Sequence, residues 1–175
     1  MRTMGLAGAL AAALWLAACK GRERVPAAQT EEEQGELAGV VHMADERAAS
    51  QLLSGFHTLE QNSWRWTAGR FAVLVRTQGG AAEKGANLRL KFFIPDAVLA
   101  KLKVMALSAT VNGMPLAPES YTQPGDFTYA REVPPAALRA ETAKVEFALD
   151  KFLPPSEADQ RELGVVVTSV GLEPR

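Results

Sequence analysis

The sequence predicts an all-β protein: an antiparallel β-sandwich of the jelly-roll or immunoglobulin-like kind over residues 50–175. Short runs rich in β-branched and aromatic residues recur at intervals of about ten residues in this part of the chain. Turn-forming pairs such as Asn112-Gly113 and Pro124-Gly125 separate them. No long amphipathic pattern predicts a helical fold, and no repeat has the period of a solenoid or propeller.

Each predicted strand carries apolar residues in a pattern that suits a sheet. Residues 88–94 alternate apolar residues at even positions with Arg89, Lys91 and Phe93 at odd ones, which is typical of a half-buried strand. The prolines in 114–122 indicate an edge position, because proline cannot donate to a ladder. Residues 79–87 are predicted as a loop and 95–102 as a brief helical turn. The predicted strands are 70–77, 88–94, 103–113, 114–122, 123–133, 143–150 and 163–173.

The N-terminus predicts a lipoprotein signal peptide over residues 1–18. A positive charge at Arg2 precedes an apolar stretch at 5–18, which is too short to span a bilayer comfortably. It ends in Leu-Ala-Ala-Cys, which resembles the bacterial lipobox and implies attachment of diacylglycerol and acyl chains such as palmitate at Cys19. The alternative is a plain secretory signal with a coincidental cysteine. Lys20 stands where an inner-membrane retention signal has Asp, so the outer membrane is favoured.

The composition of residues 19–49 predicts a flexible tether that holds the domain away from the membrane surface. This stretch is charged and poor in aromatic residues, so it buries too little apolar surface to offset the entropy of ordering. Its Glu31–Glu33 run is interpreted as solvated charge and not as a cation site. A short helix around 44–53 is an additional expectation.

Composition argues against several classes of function. The net charge of -1 gives no basic face for nucleic acid. Two histidines and one cysteine are too few for a thiolate or imidazole metal site, and His42 and His57 are interpreted as surface or turn residues. No motif for nucleotide binding or nucleophilic hydrolysis is present. We therefore expect no enzyme activity, no cofactor and no metal. A calcium site at Asp126, Asp150 and Asp159 is the weaker alternative, because the spacing of these residues matches no ligand set.

A family resemblance covers most of residues 52–173. The residues that carry it are Gly55, Phe56, Glu60, Arg65, Trp66 and Thr67, then Val111, Asn112 and Gly113, and finally Asp159, Arg161, Leu163 and Gly164. In these residues the chain resembles β-sandwich domains of bacterial cell-surface and glycosyltransferase-associated proteins, a largely uncharacterised group. The resemblance implies a sandwich with a glycan-associated role. Its enzymatic part does not carry over, because this chain has a lipobox and no catalytic domain.

The stretch Trp64-Arg65-Trp66 has two interpretations. On a strand, both tryptophans share one face and form a platform for a sugar ring, with Glu60 and Arg65 giving polar contacts. Alternatively, Trp66 fills the core, and Arg65 and Arg161 pair with Glu60 and Asp159 to tie the first strand to the last. Trp64 fits either interpretation.

The function predicted from the sequence is that of a membrane-anchored envelope lipoprotein whose non-catalytic sandwich binds glycan. A protein-interaction or structural module of the envelope, with no sugar ligand, is the alternative. The expected partners are the membrane, through the N-terminal lipid, and a cell-surface glycan or an envelope protein.

Overall fold

The computed structural model describes residues 36–175, and most of them belong to antiparallel strands. The strands are β1 (Val40–His42), β2 (Leu52–Glu60), β3 (Trp64–Arg76), β4 (Ala86–Ile94), β5 (Met105–Val111), β6 (Met114–Tyr121), β7 (Gly125–Val133), β8 (Thr142–Leu149) and β9 (Val166–Pro174). The helices are short: α1 (Ala81–Lys84), α2 (Asp96–Leu102) and the 3-10 turns Glu46–Gln51 and Pro135–Ala137. This confirms the predicted fold class, an antiparallel β-sandwich.

One strand connects the two layers of the sandwich. The strands follow the order β6-β5-β8-β3-β9-β4-β7, with β1 beside β9 and β2 beside β3. Arg70–Arg76 of β3 pair with β8, whereas Arg65 and Trp66 pair with β9. Because β3 changes neighbour along its length, its two halves lie in different surroundings.

The core follows from the period-two pattern of the strands. In β4, the even-numbered residues from Ala86 to Ile94 point inward and are buried, and the odd-numbered residues lie on the outer face. Phe71 of β3 and Phe147 of β8 lie directly opposite each other on adjacent strands, and their rings stack with centroids 4.9 Å apart. Aromatic pairs of this kind add to the stability gained from burial alone.

Side chains close the open side of the sandwich, where the edge strands β6 and β7 approach each other. The hydroxyl of Tyr129 donates to the carbonyl of Ala117 over 2.7 Å. The guanidinium of Arg131 lies over the Tyr129 ring and donates to the carbonyls of Ala117 and Pro118. These bonds occupy backbone acceptors that an edge strand would otherwise offer to another chain.

The folded part begins before residue 50. Strand β1 pairs with β9, and Met43 and Ala48 are buried, so these residues of the predicted tether belong to the domain. The side chain of Gln51 accepts from the Ala38 amide and donates to the carbonyls of Ala38 and Leu74, which fastens the segment to β3. The 3-10 turn at Glu46–Gln51 lies where a short helix was expected.

Several expectations concern residues outside the described range. They are the signal peptide, lipidation of Cys19 and the Glu31–Glu33 run. Within residues 36–175, no helix is long and apolar enough to cross a membrane.

Candidate functional site

A tight hairpin joins β2 to β3 and places Glu60 directly opposite Trp64. Gln61 and Asn62 take positive φ values of 48° and 52°, and the Ser63 amide donates to the Glu60 carbonyl over 3.0 Å. Asparagine tolerates this left-handed geometry better than most residues. Because residues opposite each other in an antiparallel pair project to the same face, the Glu60 side chain lies beside the Trp64 indole.

The two tryptophans lie on the outer face of β3. The inward positions of this strand are the odd ones, among which Thr67 and Phe71 are buried, so the even-numbered Trp64 and Trp66 project outward. Both are half-buried. Trp66 lies opposite Val166 of β9 and packs against the edge of the core. Trp64 is the first residue of β3.

Arg65 points away from the tryptophans, toward the interior end of the sandwich. Its Nη1 donates to the carbonyl of His57 over 3.0 Å. Its Nε is buried without a hydrogen-bond partner among the described residues. No carboxylate of the described chain forms an ion pair with Arg65, so it takes no part in the predicted cluster of ion pairs with Glu60, Asp159 and Arg161.

The other three members of that cluster do meet. Nη1 of Arg161 lies 2.7 Å from Oε1 of Glu60, and its Nη2 lies 2.9 Å from Oδ2 of Asp159. Nε and the backbone amide of Arg161 both donate to Oδ1 of Asp159 over 3.0 Å. The guanidinium thus binds Asp159 through Nε and Nη2, and it donates to Glu60 through its third nitrogen, Nη1.

These contacts alter the protonation behaviour of the cluster. Hydrogen bonds from the Arg161 side chain, and then from its amide, lower the pKa of Asp159 to about 2. The same bonds to Asp159 and Glu60 raise the pKa of Arg161 above its ordinary value. At neutral pH Asp159 is therefore an ionised carboxylate beside the charged guanidinium of Arg161.

Backbone bonds hold the loop at 150–164 against the hairpin. A bridge pairs Leu153 with Leu163, and the Gly164 amide donates to the carbonyl of Thr67 over 2.7 Å. The Thr67 hydroxyl accepts from the Val165 amide over 3.2 Å. Thr67 and Gly164 are both in the pattern that carried the family resemblance, and the structure gives them this shared contact.

Two residues near the site, His57 and Glu162, make contacts that the sequence did not predict. Nε2 of His57 donates to the carbonyl of Glu162 over 2.7 Å, since a carbonyl can only accept. The carboxylate of Glu162 accepts from the Gly69 amide over 3.2 Å. Both bonds join residues about a hundred positions apart, and neither residue belongs to a recognisable motif. They fix the loop that carries Arg161.

The three aspartates considered for calcium lie on separate elements. Asp126 is on β7, Asp150 follows β8 and accepts from the Ala106 amide over 2.6 Å, and Asp159 is bound to Arg161. Across residues 36–175, no group of three or more histidine, cysteine, aspartate or glutamate side chains is placed to hold a metal ion.

Comparisons with known proteins bear on the fold only. No family model matches the chain, and no curated protein matches it. One similar solved structure is the acetyl xylan esterase Est2A from the rumen bacterium Butyrivibrio proteoclasticus, with 10% identity over 80% of this chain and a TM-score of 0.45. This chain spans 33% of that esterase. Another is TmCBM27, a carbohydrate-binding module with specific mannan recognition, with 12% identity, coverage of 80% of this chain and 98% of that one, and a TM-score of 0.48.

Proposed function

We propose that this chain is a lipid-anchored envelope protein whose β-sandwich binds glycan, without catalysis, at the end formed by the β2–β3 hairpin. One observation carries the proposal: Trp64 and Trp66 project from the same face of β3, half-exposed, with the Glu60–Arg161–Asp159 cluster beside them.

The chemistry of a sugar matches these groups. The apolar face of a pyranose ring packs on an indole, and the indole N–H is a donor for a hydroxyl. Sugar hydroxyls both donate and accept, so a site that offers carboxylate oxygens next to a guanidinium satisfies both roles. The bonds within the cluster hold Glu60 and Arg161 in place before a ligand arrives, which lowers the entropic cost of binding.

The ligand set that we propose differs from the one expected from the sequence. Trp64, Trp66, Glu60 and Arg161 belong to the binding face, with Asp159 holding Arg161. Arg65 lies on the opposite face of β3 and supports β2 through the His57 carbonyl. We assign Arg65 a positioning role.

A glycan array probed with the full chain in detergent tests this function. We expect Trp64→Ala to weaken binding at least tenfold, because it removes the more peripheral indole and leaves the core intact. Leu53→Ala is the matched control: Leu53 is 46% exposed on β2, so its truncation also removes exposed apolar surface and should not affect glycan binding. Unchanged binding by Trp64→Ala, or no glycan bound by the parent protein, contradicts the proposal.

A protein-interaction module is the second candidate. It rests on Leu53, a large apolar side chain that is exposed to solvent. Leu53 lies on β2, which among the described strands pairs only with β3. Such an edge can add a strand from a partner. This function predicts that an envelope protein crosslinked to the parent chain is lost with Leu53→Asp and retained with Trp64→Ala, the reverse of the glycan result.

Anchoring is tested separately. Cys19→Ala should abolish labelling by radioactive palmitate and move the protein from the membrane fraction to the periplasmic fraction. The labelled parent protein should sediment with the outer membrane on a density gradient. A Cys19→Ala protein that remains in the membrane fraction would contradict lipid anchoring.

A further inference from the structure

A row of side chains on the outer face of the sheet leads away from Trp66, and its second member, Val166, is buried. In register, Trp66 of β3 lies opposite Val166 of β9, Val166 opposite Phe93 of β4, and Phe93 opposite Asp126 of β7. Residues directly opposite each other project to the same face. These four side chains therefore form one row across four strands, about 14 Å long at a strand spacing of about 4.8 Å.

A β-bulge places a hydroxyl beside this row. The register of β9 against β4 shifts between Lys91 and Phe92, which leaves Thr168 as the extra, exposed residue. Its hydroxyl donates to the Lys91 carbonyl over 3.3 Å. A depression of about 240 Å³ lies here, lined in part by Lys91, Asp126 and Thr128. Bulges often aim a side chain toward a binding surface.

The charges on this face alternate in sign. Arg89 is paired with Glu173 over 2.8 Å, and exposed Lys91 and Asp126 occupy neighbouring cross-strand rows. A surface with balanced charge offers donors and acceptors without attracting a polyanion. Its apolar row, bordered by hydroxyl and charged groups, matches a neutral polyhydroxyl ligand whose rings present apolar faces.

We propose that the glycan site extends from the hairpin across the outer face of β9, β4 and β7, and takes a neutral oligosaccharide of several units rather than a single terminal sugar. This inference rests on the proposed glycan function. Trp64 and Trp66 hold the first ring, Phe93 packs against a later ring, and Thr168 with Asp126 bonds its hydroxyls.

Titration calorimetry on the full chain in detergent tests the extension. The probes are cello-, manno- and chito-oligosaccharides, each from the monosaccharide to the hexasaccharide, with oligogalacturonides as the acidic comparison. For the parent protein we expect affinity for at least one neutral series to rise tenfold or more from disaccharide to tetrasaccharide. Phe93→Ala should remove most of that gain in affinity. Thr168→Val should lower the tetrasaccharide affinity a few-fold. Both should leave disaccharide affinity unchanged. Thr122→Val, at an exposed threonine after β6, is the control for loss of a hydroxyl.

The possible failures are distinguishable. If binding depends on Trp64 but does not grow with chain length, or is unaffected by Phe93→Ala, the extension is overturned and the glycan function stands. Preference for oligogalacturonides also overturns the neutral ligand. If the parent protein binds none of these probes and no glycan on the array, the proposed function fails, and the extension fails with it. Unchanged thermal unfolding of each variant shows that a loss of binding is local.

Discussion

The two halves of β3 have the same backbone conformation but different tasks. From Arg70 to Arg76 the strand pairs in unbroken register with β8, and its inward residues are fully buried. From Trp64 to Gly69 it pairs only briefly with β9, and its tryptophans stay half-exposed. The first half carries the candidate site and the second builds the core. Because the strand is continuous, the buried half fixes the position of the half-exposed tryptophans.

The boundary between the halves is Gly69. A Cβ atom at this position would lie 2.2 Å from the ring of Phe152, so the loop at 150–164 packs directly on the backbone. On β2, opposite this region, the register shifts repeatedly, and Gly55 takes a φ of 74° close to the backbone of Phe71. The site half is therefore held by irregular, residue-specific contacts, and the core half by a regular ladder.

The largest effect is expected in the core half. Phe71→Ala removes a ring that is 1% exposed and packed against Phe147 and Phe56, and should lower the free energy of unfolding by about 3–5 kcal/mol. Trp64→Ala should cost much less, because that side chain is already half-exposed. Urea unfolding measures both. Equal losses for the two variants would mean that the halves of β3 do not differ in the way described.

A smaller effect is expected at the boundary. Gly69→Ala should destabilise the protein by about 1–3 kcal/mol, since the new methyl group overlaps the Phe152 ring. The Gly69→Ala/Phe152→Ala double variant relieves that overlap, so a double-mutant cycle on unfolding free energies should show strong positive coupling. Additive losses would show that Phe152 is not what excludes a side chain at Gly69.

Arg161→Ala tests the ion cluster in the site half. Arg161 and its partners are each about a third exposed, so we expect a loss of about 1 kcal/mol, together with faster amide hydrogen exchange in residues 150–164. Arg89→Ala is the matched control, because it removes an exposed pair with Glu173 from the regular sheet. That variant should change stability less and leave exchange in the loop unaltered. Equal exchange in both variants would contradict the role given to Arg161.

The regularly paired strands were the part of the fold that could be predicted from the sequence. Period-two patterns and turn residues located β4 and β5 closely, because burial on one face leaves a direct mark on composition. Strand β1 was missed because three residues in a charged context carry too little pattern, and its place comes from pairing with β9.

The candidate site was predictable only in part. Opposite charges at Glu60, Arg161 and Asp159 gave a pairing that the structure contains, whereas Arg65 forms no ion pair among the described residues and donates to the His57 carbonyl instead. Which of two arginines reaches a given carboxylate depends on tertiary contacts between distant residues, and charge alone does not decide it. The bulge at Thr168 and the bonds of Glu162 depend on contacts between distant residues, and local sequence does not encode these.

The smallest effect is a pH dependence confined to the site half. In the folded protein the pKa of Asp159 is lowered to about 2, against about 3.9 in an unfolded chain. Because the folded pKa is depressed, the contact stabilises the protein above pH 4, and this contribution is lost as the pH falls from about 4 to about 2. The stability gap between the parent protein and Asp159→Asn, measured by urea unfolding, should be constant above pH 5 and shrink over that window. Phe71→Ala, in the core half, should keep a constant gap over the same range. A constant gap for Asp159→Asn would mean that Asp159 holds Arg161 by geometry alone, and the two halves would then differ in packing but not in electrostatics.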